Sequence, residues 1–136
     1  MQDTPRIGSV HERTFTVEPA HTIDFGHGEL PAVLSTPSLI WFLEHTALDH
    51  VRPYLDEGEI TVGVRVELDH LAAAVVGTQV TCRSRVIHVE GPAVTFQIEA
   101  SAGTELLGRG LHRRQAVRIE RLAKRLARNQ QERPQG

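Results

Sequence analysis

Several features are scarce in this sequence of 136 residues, and each scarcity narrows the possible classes of protein. A single cysteine, Cys82, excludes an intramolecular disulfide and fits a reducing compartment. The formal net charge is −2 at pH 7, which does not indicate nucleic-acid binding by the chain as a whole. No apolar run approaches the ~20 residues of a membrane span, and the polar N-terminus lacks the apolar core of a signal peptide. We therefore expect a cytoplasmic protein with no membrane or nucleic-acid partner.

Metal-binding and repeat signatures are also missing from the sequence. There is no HExxH motif, no clustered Cys/His spacing, no internal repeat and no low-complexity segment. What the chain does have is an ordinary globular composition, with 40% apolar and 24% charged residues. Its length suits one domain with a packed core. We therefore predict a single domain over residues 1–136 with no metal site and no cofactor.

A long helix is predicted from about Pro37 to Tyr54. Thr36 is a candidate N-cap, and proline suits the first helical position because no N–H is needed there. The apolar stripe of this helix recurs at helical spacing and consists of Ile40, Leu43, Ala47 and Val51. Glu44 falls within that stripe, so a carboxylate is expected on the buried face of the helix.

Strand patterns occupy most of the remaining chain. Residues 10–18 fit a first strand, and from residue 61 the apolar period changes from helical to alternating. Four strands are predicted there, and they cover 61–70, 78–89, 93–101 and 105–119. Successive hairpins make an antiparallel sheet, and one apolar helix against such a sheet is a two-layer α+β domain. A basic amphipathic helix is predicted at about 120–132.

One imidazole is predicted to face the helix. His70 continues an alternation that consists of Val62, Val64, Val66 and Leu68. Helix and strand would then contribute an inward carboxylate, Glu44, and an inward imidazole. The carboxylate and the imidazole can be interpreted in two ways. They form either a structural pair in which each is the other's partner, because buried charges are costly unless paired, or an acid–base site between the layers. Thr36 likewise either caps the helix or, beside the free N–H groups of the helix N-terminus, helps to polarise a carbonyl oxygen.

Three blocks of the sequence together resemble the hotdog-fold thioesterases, most closely their fluoroacetyl-CoA thioesterase-like branch. The blocks are TPSLIWFLEHTA, TVGVRVELDHLAAAVVG and LLGRGLHRRQAV, and the resemblance runs from about Arg6 to Arg121. It implies a hotdog fold, in which a curved antiparallel sheet of about five strands wraps around one long central helix. It also implies an acyl-CoA thioesterase acting on a short or small acyl group, and a homodimer formed through sheet edges with the active site near the interface.

The resemblance also implies roles for particular residues. Thr36, Glu44 and His70 fall at the family's catalytic threonine, glutamate and histidine positions. Arg114 falls at an arginine position near the active site, and Gly63 at a glycine that lines the acyl pocket. In this scheme the glutamate is either the nucleophile or the general base that activates water.

The segment between Ile23 and Val33 departs from the family pattern. The family has a longer segment here, with aromatic lid residues over the acyl group, whereas Phe25 is the one aromatic residue of this segment in the present chain. Phe25 is therefore the candidate aromatic contact to the substrate. Because the lid is short, the identity of the acyl group stays open, including whether fluoroacetyl-CoA is accepted.

Other functions are compatible with the same residues. Basic side chains should hold the phosphates of coenzyme A, and the candidates by charge are Arg83, Arg85, Arg109, Arg113 and Arg114. A non-catalytic protein that binds acyl-CoA or a small carboxylate, and a hotdog hydratase or dehydratase, are alternatives. A metal site using Glu44, His70 and another histidine, and nucleic-acid binding by the C-terminal basic helix, are two more.

Overall fold

In a computed structural model, which describes residues 1–132, the chain forms two helices and two antiparallel sheets. In chain order the strands are β1 (Val10–Thr16), β2 (Thr22–Ile23), β3 (Val33–Leu34), β4 (Glu59–His70), β5 (Gln79–Glu90), β6 (Ala93–Ala102) and β7 (Glu105–Arg118). The helices are α1 (Thr36–Val51) and α2 (Ile119–Glu132), and single 3-10 turns cover Pro19–His21 and Arg52–Tyr54. Residues 133–136, which the predicted domain also includes, lie outside the described residues.

The larger sheet has the strand order β1-β5-β6-β7-β4, so β1 and β4 are its two edges. All neighbouring strands are antiparallel, and α1 contacts every strand of this sheet. The short strands β2 and β3 pair with each other and lead the chain to the start of α1. The predicted α+β arrangement, about five antiparallel strands around one central helix, is therefore confirmed.

Within residues 1–132, neither helix has the length and the apolar content that crossing a bilayer requires.

The buried face of α1 is rotated relative to the predicted apolar stripe. Its buried side chains are Leu39, Phe42, Leu43, Thr46, Ala47, His50 and Val51. Ile40 is only partly buried, because the sheet covers a face centred on Leu39 and Leu43. Glu44 therefore lies at the border of this face, and its side chain is 37% exposed. The helix presents this carboxylate beside the core and not inside it.

A bulge divides the alternation of β4 into two halves. The register with β7 shifts between Gly63 and Arg65, which leaves Val64 as the extra residue. An extra residue moves every later side chain to the opposite face of the sheet. His70 consequently faces α1 together with Gly63. The prediction that Val62 and Val64 share the face of His70 is wrong, because it assumed an unbroken strand.

Candidate active site

Thr36 and His70 meet where α1 begins and β4 ends. Thr36 Oγ1 and His70 Nδ1 lie 2.8 Å apart, within hydrogen-bond distance. The threonine hydroxyl is available because the neighbouring Ser35 is the N-cap, whose Oγ accepts a bond from the Ser38 N–H at 3.2 Å. The prediction that Thr36 caps the helix is therefore wrong. Its side chain is directed to the imidazole and not to the helix backbone.

The second ring nitrogen of His70 has no partner in the part of the chain that the structure describes. His70 Nε2 is buried and forms no hydrogen bond there. Buried polar atoms are nearly always hydrogen-bonded, because an unpaired one keeps the full cost of its desolvation. This nitrogen therefore marks a position where a bound molecule can complete the hydrogen bonding.

An apolar cavity opens beside the Thr36–His70 pair. Its volume is about 450 Å³. Besides the pair itself and Ser35, most of its lining is apolar and includes Ile23, Phe25, Val33, Leu34, Leu71 and Ala72. Concave sites with apolar walls and a few polar groups are typical of small-molecule binding. Phe25 thus lines the same cavity as two of the three predicted catalytic residues.

Glu44 lies in a second polar cluster, which is organised by Arg114. The Arg114 guanidinium is almost fully buried, and its Nη1 lies 3.5 Å from Glu44 Oε2. Nε and Nη2 donate to Thr61 Oγ1 and to the Thr61 carbonyl oxygen, each at 3.0 Å. Burial lowers the pKa of Arg114, and the facing carboxylate opposes that change. The cluster therefore holds a buried cation against a partly exposed anion.

Gly63 provides the space in which this second cluster fits. A Cβ at this position would lie 2.8 Å from Glu44 Oε2, 3.3 Å from His112 Cε1 and 3.4 Å from Arg114 Nη1. The first of these distances is shorter than van der Waals contact allows. Any side chain here would displace the Glu44 carboxylate, so the glycine leaves room for the carboxylate in its observed position and is not needed for its backbone conformation.

The described chain therefore divides the predicted site residues into two groups. Thr36 and Glu44 are eight residues apart on one helix, which separates them by ~12 Å along its axis. The structure joins Thr36 to His70, and Glu44 to Gly63 and Arg114, but residues 1–132 contain no hydrogen bond between Glu44 and His70. The interpretation as a self-satisfying Glu–His pair is therefore wrong for the single chain.

Two neighbours of the candidate site residues were not identified in the sequence. His112, which is 1% exposed, contacts Arg114, and Thr61 accepts two of the arginine's hydrogen bonds. The signal for His112 was its position two residues before Arg114, because alternate residues of a strand share one face. Thr61 carried no comparable signal, since its partner lies on the neighbouring strand.

The other predicted phosphate-binding arginines lie away from the cavity. These arginines are Arg83, Arg85, Arg109 and Arg113. They lie on the outer face of the sheet, because buried and exposed residues alternate along β5 and β7 and all four are at exposed positions. In the same chain, the outer face is directed away from α1 and the cavity. Among residues 1–132, no three His, Cys, Asp or Glu side chains are grouped as a metal ion requires.

Comparisons with known proteins agree with this architecture. The family model described as fluoroacetyl-CoA-specific thioesterase matches residues 17–120. The fluoroacetyl-CoA thioesterase of Streptantibioticus cattleyicolor is 28% identical over 127 residues, which cover 89% of this chain and 91% of that protein. A solved structure of the fluoroacetyl-CoA thioesterase FlK superimposes with a TM-score of 0.85 at 26% identity, covering 97% of this chain and 100% of that one.

A hot-dog-like protein from Thermanaerovibrio acidaminovorans gives a TM-score of 0.83 at 28% identity, over 90% of this chain and 91% of that one. The hotdog fold and the thioesterase class, which the sequence blocks implied, are confirmed. Because the family model spans most of the chain, this protein belongs to the fluoroacetyl-CoA-specific thioesterase family.

Proposed function

We propose that this protein hydrolyses the thioester of a short or small acyl-CoA, with Thr36, Glu44 and His70 as the reacting groups. The observation that carries the proposal is the 2.8 Å contact between Thr36 and His70 at the mouth of an apolar cavity. The cavity suits an apolar acyl group, and the unpartnered imidazole nitrogen suits a proton transfer. No cofactor is required, because coenzyme A is part of the substrate.

The thioester carbonyl is proposed to bind at the N-terminus of α1. Proline at position 37 has no N–H, Ser38 donates to Ser35 Oγ, and Leu39 donates to the Ser35 carbonyl oxygen. The backbone N–H of Thr36 is therefore the one donor in this first turn that the caps leave for a ligand. Together with the positive end of the helix dipole, it would stabilise negative charge that develops on the carbonyl oxygen.

Glu44 acts in one of two ways in this scheme. As a nucleophile, its carboxylate attacks the thioester carbon, a mixed anhydride forms, and the coenzyme A thiolate leaves and takes a proton from His70. Water then cleaves the anhydride. As a general base, Glu44 instead removes a proton from the water that attacks the thioester. After single-turnover hydrolysis in H₂¹⁸O, label in Glu44 would identify the anhydride route, because it arises only when water attacks the glutamyl carbonyl carbon of the anhydride.

The separation of Glu44 from His70 supports a homodimer in which two chains complete each site. β4 is a free sheet edge of 12 residues whose apolar side chains Ile60 and Val64 are 37% and 51% exposed. The other edge, β1, has only 7 residues. Unpaired edges of long, apolar strands are the ones prone to pair with another chain. We therefore propose that β4 pairs with the β4 strand of a second copy.

Antiparallel pairing about the middle of β4 would bring the Gly63 end of one strand toward the His70 end of the other. Gly63, which lies against Glu44, is seven residues from His70 on the same strand, roughly 23 Å at the usual rise. In a pair centred between Val64 and Arg65, the partner's Gly63 would lie opposite Val66, four residues from His70. Along the paired strands, the partner's Gly63 would then be nearer to His70 than the chain's own Gly63 is.

The test is a thiol-release assay with short, medium-length and aryl acyl-CoAs, and with fluoroacetyl-CoA, on the wild type, Glu44→Ala and His70→Ala. Turnover that both substitutions abolish, with folding retained by circular dichroism, is the expected result. Binding without turnover on every thioester would instead indicate the non-catalytic alternative. Hydration of an enoyl-CoA in the same panel would indicate a hydratase.

A cytoplasmic location stays a prediction, and fractionation of the producing cells with an activity assay tests it.

A further inference from the structure

We propose that His112 is a positioning residue, which holds Arg114 against Glu44 and is itself held by the bulge in β4. This inference rests on the proposed function, because its catalytic consequence passes through Glu44. His112 does not reach the cavity beside Thr36. Its hydrogen-bonding partners are the backbone of β4 on one side and the Arg114 guanidinium on the other.

The two partners of His112 define one protonation state. Its Nδ1 lies 2.8 Å from the Arg65 carbonyl oxygen, which can only accept, so Nδ1 carries the proton. Its Nε2 lies 3.2 Å from Arg114 Nη1, which can only donate, so Nε2 presents its lone pair. The imidazole is therefore neutral and in a single tautomer, and it bridges the neighbouring strands β4 and β7.

The bulge in β4 provides the space for the Glu44 carboxylate and the carbonyl oxygen that binds His112. The extra residue, Val64, follows Gly63, whose missing side chain leaves room for the Glu44 carboxylate. The next residue, Arg65, directs its carbonyl oxygen to His112. Bulges are found beside active sites, where they redirect side chains. Here the irregular stretch aligns the histidine, and the histidine aligns the arginine.

The orientation of the Arg114 guanidinium is consequently set by contacts other than the one with the Glu44 carboxylate. Thr61 accepts from Nε and Nη2, and His112 accepts from Nη1, so three contacts orient the guanidinium from the side of the sheet. Glu44 is partly exposed and has no other side-chain partner among residues 1–132. Without His112, Nη1 loses one of its two partners, and the position of the Glu44 carboxylate is less well defined.

Protonation of His112 would remove its function. A second N–H would then face the Arg114 guanidinium, which has no lone pair to accept it. Burial lowers the pKa of His112 and Arg114 lowers it further, while the Arg65 carbonyl and Glu44 act in the opposite direction. The neutral form that the geometry requires is thus also the form that burial favours.

The kinetic test compares His112→Gln with His112→Leu. Glutamine can still accept from Arg114, whereas leucine cannot. We expect His112→Leu to lower kcat by roughly tenfold to a hundredfold, with a smaller change in KM, and His112→Gln to keep most of the activity. In an Arg114→Met background, His112→Leu should cause little further loss, because the arginine through which it acts is gone. Equal impairment of both variants, or losses that multiply with Arg114→Met, would overturn the inference.

Controls separate positioning from folding. Val80→Ala removes buried volume from β5 at a distance from Arg114, and it should lower the melting temperature while leaving kcat unchanged. If Val80→Ala lowers kcat as much as His112→Leu does at similar stability, the effect of His112 is structural and the inference fails.

A spectroscopic readout is independent of turnover. ¹⁵N NMR of histidine-labelled protein at neutral pH should show His112 with a protonated Nδ1 and a bare Nε2, and Arg114→Met should shift the Nε2 signal. The opposite tautomer would overturn this inference and leave acyl-CoA hydrolysis untouched. Conversely, full activity of Glu44→Gln together with the expected tautomer would overturn the proposed role of Glu44 and the effect of His112 on kcat, while the hydrogen-bonded arrangement of His112 would stand.

Discussion

Thr36 Oγ1 and His70 Nδ1 lie 2.8 Å apart although 34 positions separate them in the chain. The contact exists because Ser35 performs the capping that would otherwise occupy the threonine hydroxyl. Two adjacent hydroxyl residues therefore have different tasks. One stabilises the start of α1, and the other is directed to the imidazole.

The first prediction separates these two tasks. Thr36→Val should lower kcat by about tenfold or more and leave the free energy of unfolding nearly unchanged, because the cap remains. Thr36→Ser should keep most of the activity, since it retains the hydroxyl. Ser35→Ala is the matched control and should cost about 1 kcal/mol of stability. Steady-state kinetics and urea unfolding measure both quantities; a Thr36→Val variant with wild-type kcat would contradict the role of the hydroxyl.

The second prediction concerns Gly63. Gly63→Ala introduces a methyl group 2.8 Å from the position of Glu44 Oε2, so the carboxylate must move, and kcat should fall by about tenfold or more. Gly28→Ala is the control, because its added methyl meets nothing within 4 Å and its backbone is not left-handed. Unchanged kcat in Gly63→Ala, measured with the best acyl-CoA of the panel, would show that the position of Glu44 does not matter.

The third prediction is a loss of stability in mild acid. His50 is buried, and its ring nitrogens lie 2.8 Å from Ser84 Oγ and 3.0 Å from Ser9 Oγ. Burial and the nearby His11 lower the pKa of His50 below the usual value of about 6.5 for histidine, while the bond with Ser84 acts in the opposite direction. Burial likewise lowers the pKa of His112.

For these histidines the unfolded chain binds protons more readily than the native chain does. The unfolding free energy should therefore be at its full value above about pH 6.5 and should fall as the pH drops below it. Urea unfolding between pH 7.5 and pH 5 measures this slope. His50→Leu should reduce it. A stability that is constant or increasing toward pH 5 would contradict the prediction.

The fourth prediction tests the proposed dimer edge. Val64→Lys places a charge on the exposed edge strand β4 and should convert a dimer into a monomer with little activity. Val10→Lys makes the same change on the opposite edge, β1, and should leave the mass unchanged. Light scattering gives the masses. A wild-type monomer, or a dimer that only Val10→Lys dissociates, would exclude pairing through β4.

Mixing two inactive chains tests whether the site is shared between subunits. Equal amounts of Glu44→Ala and His70→Ala, unfolded and refolded together, should recover about a quarter of wild-type activity. Half of the dimers are then mixed, and each mixed dimer has one complete site. No recovery, with mixed dimers demonstrated by mass spectrometry, would mean that Glu44 acts within its own chain.

The helix α1 and the hairpin between β5 and β6 could be predicted from the sequence. The proline at position 37 and the helical apolar period indicated α1, which begins one residue earlier and ends at Val51, where a 3-10 turn takes over. The hairpin between β5 and β6 was visible in the sequence as a glycine between two strand patterns. In the structure, Gly91 adopts a positive φ of 56°, which glycine accepts readily. These are local properties, so a short window of sequence contains them.

The sequence predicted which residues belong to the candidate site but not which of them contact each other. The helical stripe pointed to Glu44, the alternation along β4 to His70, and the sequence blocks to both. The bulge at Val64, the cap at Ser35 and the partner of Glu44 were not visible. An extra residue in a strand changes no local propensity, and serine and threonine are both preferred N-cap residues, so the sequence alone does not say which of the two caps α1.

By itself, the sequence determined the helix and strand segments, the α+β class and the residue types available for chemistry, because periodicity and turn residues act over a few positions. Tertiary structure decided which of those residues meet. Arg114 reaches Glu44 across 70 positions, and His112 reaches the Arg65 carbonyl across 47. Such contacts depend on strand register and on the packing of α1 against the sheet, which no short stretch of sequence contains.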